Sequence, residues 1–72
     1  MNITKAYQFG SGKIPEWVQE VIDSGFFGRR GDTLFVQEGL ERMIIEDGYW
    51  ILVIDGDIKV ADNEVFEMIT SH

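Results

Sequence analysis

The stretch Tyr49-Trp50-Ile51-Leu52-Val53-Ile54 limits what this chain can become. It is the longest apolar run in the sequence. Turn-forming residues bound it on both sides, Glu46-Asp47-Gly48 before it and Asp55-Gly56 after it. A short unbroken run bounded in this way predicts a β-strand covered on both faces or nearly so. Asp55-Gly56 is a strong hairpin signal and favours a type I′ turn, because both of its central positions accept positive φ. A two-residue loop there pairs Val53 with Ile58 and Ile51 with Val60. Tyr49, Ile51, Val53, Ile58 and Val60 then share one face, assigned to the core. Trp50, Leu52, Ile54 and Lys59 share the other.

The rest of the chain reads as cover for this hairpin. Residues 2–9 alternate as a first strand, with Ile3, Tyr7 and Phe9 on one face, until Gly10-Ser11-Gly12 breaks it. Ile14, Trp17, Val18, Val21 and Ile22 follow the spacing of one helical stripe, which predicts a helix over 14–24. Pro15 suits its first turn and Gly25 its left-handed stop. Phe26 to Asp32 reads as a loop in which one of the two phenylalanines is buried and the other exposed. Thr33–Gln37 and Leu40–Ile45 read as two more strands around a Glu38-Gly39 turn. Asp62 is a good N-cap for a last helix over 63–70, with Val65, Phe66 and Ile69 on its apolar side. About two turns of helix are unstable alone, so this helix must dock on the sheet. Ser71 and His72 are expected to fray.

The predicted order is β-α-β-β-β-β-α. It points to a small α+β fold of two layers, a mainly antiparallel sheet of about five strands with both helices on one face. At 72 residues a single domain, 1–72, is expected. A chain this short buries only roughly 60% of its unfolded surface. It has no cysteine to staple it. The opening Met1–Tyr7 has no apolar core of a secretory signal, and no stretch reaches the roughly 20 apolar residues of a membrane helix. The expected localisation is the cytoplasm.

Charge is distributed unevenly. Residues 1–36 carry four basic and four acidic side chains, whereas residues 37–72 carry two basic against nine acidic, so the whole net charge of -7 lies in the second half. Such a surface repels phosphate backbones, which argues against direct nucleic-acid binding, and it steers basic protein surfaces towards it. The same charge also serves solubility.

Motifs for chemistry do not hold together. Gly10-Ser11-Gly12-Lys13 has Tyr7 where a phosphate loop needs its first glycine, and Ile14 where it needs the magnesium-binding hydroxyl. Asp55-Gly56-Asp57 lacks the alternating oxygens and distant bidentate Glu of a calcium loop. Arg30-Gly31-Asp32 is a chance tripeptide in a chain of this kind. His72, the one histidine, stands at the terminus, away from any nucleophile. No catalytic, cofactor-binding or metal-binding residue is assigned, and no cofactor is expected. The remaining candidate is the second face of the central strand, Trp50, Leu52 and Ile54. Uncovered, it would be an interaction site or an oligomer seam; covered by local segments, it would be core.

Gly48-Tyr49-Trp50-Ile51-Leu52, Asp55-Gly56-Asp57-Ile58, Asp62 and Phe66-Glu67 together resemble a small family of phage and prophage proteins of unknown function. The tail of that family reads Pro-Gly-Asp-Trp-Ile-Ile, then Gly-Glu-Phe, then Pro-Asp-x-Phe-Glu. Ala6-Tyr7-Gln8-Phe9 with Ile14-Pro15-Glu16 is similar to its opening strand and helix. Asp47 stands where the family has Pro, and Tyr49 where it has Asp. The resemblance implies a small accessory protein of phage origin, and no catalytic residue comes with it. The expected function is a non-enzymatic interaction module acting on a host or phage protein. The alternatives are an acidic nucleic-acid mimic that occupies a DNA- or RNA-binding protein, a structural homo-oligomer, and a small enzyme.

Overall fold

The computed structural model describes residues 2–71, and of Glu38 only the backbone. The fold is α+β and its sheets are antiparallel throughout. Its elements are β1 (Ile3–Gln8), α1 (Glu16–Asp23), β2 (Gly28–Arg30), β3 (Thr33–Glu38), β4 (Glu41–Ile45), β5 (Trp50–Ile54), β6 (Asp57–Ala61) and α2 (Asn63–Thr70). The chain divides into two compact units, residues 1–13 with 47–72, and residues 14–46. The strands form two sheets of three, β1-β5-β6 in the first unit and β2-β3-β4 in the second, where one sheet of about five was expected. Each unit also holds one helix, α2 in the first and α1 in the second.

In the first unit β5 is the middle strand, as its apolar run requires. Ile51 and Leu52 point to opposite faces, and both are 0% exposed. Val53 pairs with Ile58 and Ile51 with Val60, across a turn in which Asp55 (φ 51°) and Gly56 (φ 87°) both adopt the positive φ of a type I′ loop. On the other side β1 pairs Tyr7 with Ile51 and Ala6 with Leu52. The register slips between Ile3 and Lys5, so Thr4 is an extra residue. Its hydroxyl donates to the Val53 carbonyl at 3.4 Å. The bulge is why the simple alternation read over 2–9 does not carry through. Ile3 and Tyr7 are covered, but three exposed residues lie between them.

The two ends of β1 are tied to β5 by backbone. The Phe9 N–H donates to the Tyr49 carbonyl and the Gly48 N–H to the Phe9 carbonyl, both at 2.8 Å. The Asp55 N–H donates to the Asn2 carbonyl at 3.0 Å. The glycine-rich turn closes on itself. Ser11 donates its N–H and its hydroxyl to the Gln8 carbonyl (3.2 and 2.6 Å), and the Tyr7 hydroxyl donates to the Gly12 carbonyl at 2.8 Å.

In the second unit α1 begins after Pro15, an extended N-cap whose carbonyl accepts from Val18 and Gln19. Ile14 therefore lies outside the helix and is exposed. Gly25 at φ 88° makes the left-handed stop, its N–H donating to the Ile22 carbonyl at 3.3 Å. Val18 and Phe27 are buried, and Phe26 is the exposed member of the phenylalanine pair.

The expected loop over 26–32 is corrected here, because its second half is β2. Gly31 at φ 63° with Asp32 forms a two-residue turn that pairs Arg30 with Thr33 and Gly28 with Phe35. Arg30-Gly31-Asp32 is thus a hairpin corner. Gly28 is required where it stands, since a Cβ would sit 2.3 Å from the Phe35 ring. The next turn also falls one residue later than expected. Glu38 pairs with Glu41, and Gly39 (φ 59°) with Leu40 forms the loop. Leu40 is left at the tip, fully exposed.

Candidate interaction surface on the C-terminal helix

Asp62 starts α2 as its sequence suggests. Its Oδ1 accepts from the Val65 N–H at 2.8 Å, which satisfies a donor that the first turn leaves open. The cap fixes where the helix begins and so which residues face the sheet. Phe66 lies flat on the Trp50 indole, with ring centroids 3.7 Å apart and planes 6° from parallel. The Trp50 Nε1–H donates to Asn63 Oδ1 at 3.1 Å. Gln8, the β1 partner of Trp50, donates from Nε2 to the Gly48 carbonyl at 3.2 Å and to Asn63 Oδ1 at 3.5 Å. Asn63 Nδ2 donates in turn to Glu67 Oε1 at 3.3 Å. This cluster ties the helix to β5 and β1 through one stacked pair and one amide.

The three residues singled out from the sequence therefore occupy different settings. Trp50 is half-buried beneath Phe66, Leu52 has no accessible surface, and Ile54 is half-buried beside the type I′ turn. The burial of Leu52 accords with the unbroken apolar run, which predicts cover on both faces, whereas the stack does not follow from it. The spacing places Phe66 on the apolar side of the helix, but strand periodicity does not say which sheet face that side meets.

What α2 turns outward is a different set. Glu64, Glu67, Met68 and Ser71 line a shallow depression of about 630 Å³. Their spacing of three, four and seven puts them on one stripe of the helix. Met68 is 76% exposed, and Val65 beside this stripe is also exposed. From Asp62 to Ser71 there are three acids and no basic residue. A flexible thioether flanked by carboxylates can adapt to an apolar contact while drawing in a cation. The sequence carries a signal for this surface, a short amphipathic helix with Met68 off its apolar stripe.

Among the described residues no three His, Cys, Asp or Glu side chains come together to hold a metal ion, and no helix is long and apolar enough to cross a membrane. The one histidine, His72, lies outside the described residues. Comparison with protein-family models, curated protein sequences and solved structures gives no match to this chain.

Proposed function

We propose that this chain is a small acidic accessory protein of phage or prophage origin, acting in the host cytoplasm as a non-enzymatic interaction module. Its binding surface is the outer stripe of α2, and its partner is a basic, partly apolar surface on a host or phage protein. One observation carries the reading. A helix clamped on its inner side by the Phe66–Trp50 stack presents an exposed methionine beside two glutamates on its outer side. Exposed methionine serves adaptable contacts, and carboxylates around it speed encounter with cations. The residues that resemble the phage family also support this division of labour. Gly48 and Gly56 hold positive φ, Asp62 caps the helix and Phe66 packs on Trp50, so they build the scaffold. Binding then falls to side chains the scaffold leaves outward.

The test is affinity capture from host lysate with the wild-type chain, a Met68→Lys/Glu64→Lys variant and a Leu40→Ser variant. The reading expects a protein that is retained by wild type and Leu40→Ser, lost by the α2 variant, and bound more weakly as salt rises. A protein retained equally by all three, or no retained protein in any growth phase, would overturn it.

A further inference from the structure

Sheet edges invite pairing, and most edges in this chain carry a feature that discourages it. β1 carries the Thr4 bulge and Lys5, β2 is three residues long with two arginines, and β6 has Lys59 at its centre. The fourth edge is β4, which opens on the charged pair Glu41-Arg42 but has no lysine, proline or bulge. Its register against β3 is unbroken from Leu34–Ile45 to Glu38–Glu41. Ile44 is 51% exposed, on the face where Arg42 lies over the Phe35 ring at 4.4 Å.

From Arg42 to one residue past the end of β4 the sequence is Arg42-Met43-Ile44-Ile45-Glu46, a cation, three apolar residues and an anion. That order is complementary to itself when reversed. We propose that β4 pairs antiparallel with β4 of a second copy, about a two-fold axis at Ile44. Arg42 then stands opposite Glu46 of the other copy at both ends, Met43 opposite Ile45 twice, and Ile44 opposite Ile44. Cross-strand partners of this kind lie about 4.5–5.5 Å apart at Cβ, within reach of an ion pair. The neighbouring register, centred on Met43, puts Arg42 against Ile44 and Glu41 against Ile45, and makes no charge pair. The same register sets Glu41 opposite Asp47, but Asp47 lies in the turn two residues past the strand, so the Arg42–Glu46 pairs set the occupant and the register. The result is a six-stranded sheet built from two copies of the second unit, with an isologous contact that closes as a dimer. This proposal is independent of the α2 surface.

Sedimentation equilibrium of the full chain, from about 10 μM to about 1 mM, tests it. Wild type is expected to shift from monomer to dimer across that range. Arg42→Glu and Glu46→Arg each place like charges opposite one another at both ends and should weaken the dimer by about tenfold or more. The double swap restores both pairs and should return Kd to within about threefold of wild type. Glu46→Arg spares the Phe35 contact, so it separates pairing from folding, and circular dichroism confirms that each variant is folded. A wild-type chain that stays monomeric throughout, a species larger than a dimer, or a folded double swap that does not recover association would overturn the proposal.

Discussion

Truncating Phe66 to alanine removes the inner anchor of α2 while leaving its cap and backbone bonds in place. A buried phenylalanine cut to alanine costs about 3–5 kcal/mol. Phe66 is only half-buried, which reduces this to about 2 kcal/mol, and the parallel stack on Trp50 supplies about 0.5–1.5 kcal/mol of that beyond area. For a urea slope of about 1 kcal/mol/M, the midpoint should fall by about 2 M. Far-UV circular dichroism is the suitable probe, because it does not depend on the indole under test. A double-mutant cycle with Trp50→Ala isolates the pair and should return a coupling of about 0.5–1.5 kcal/mol. Asn63→Ala, which removes the acceptor of the indole N–H, is a control for the polar half of the clamp. A Phe66→Ala midpoint within about 0.3 M of wild type, or a coupling near zero, would refute the clamp. The outer stripe would then lose its rigid base.

Gly28→Ala places a Cβ against the Phe35 ring, itself beneath Arg42, and should cost about 1–3 kcal/mol. A thermal melt should show this as about 4–8 °C for each kcal/mol. Asp62→Ala removes the acceptor of the Val65 N–H and should cost about 1 kcal/mol in urea, whereas Asp62→Asn keeps an accepting oxygen and should stay close to wild type. Ile51→Ala and Leu52→Ala should each cost about 2–5 kcal/mol, since both are fully buried on opposite faces. A neutral outcome for either would mean that one face of the strand is wet.

Much of the first unit was legible in the sequence because its signals are local and agree with one another. The apolar run, the Asp55-Gly56 turn, the Val53–Ile58 register and the Asp62 cap each depend on neighbours a few residues away. The same holds for the Gly25 stop of α1. What was missed is long-range or masked by composition. Whether strands make one sheet or two depends on partners far apart in sequence, and the alternation of Thr33–Glu38 reads the same in both cases. Gly28-Arg29-Arg30 has no strand-like composition. It pairs because Gly31-Asp32 turns the chain and because the absence of a Cβ at position 28 admits Phe35. The sequence leaves the Trp50 face open or covered, because strand periodicity cannot tell which element returns over it. The glutamates and methionine of the candidate surface were visible as residues, but their common stripe became a surface only once Phe66 was known to face inward.

The whole account turns on β5 being hydrogen-bonded along both of its sides. Amide hydrogen exchange followed residue by residue tests this directly. In a middle strand successive N–H groups point alternately to two partners, so Ile51, Leu52 and Val53 should all be strongly protected, while β4 should alternate between fast and slow amides where the chain is monomeric. Fast exchange at every second amide of β5 would show that one of its neighbours, β1 or β6, is not in place, and would contradict the architecture on which the helix clamp and its outer surface rest.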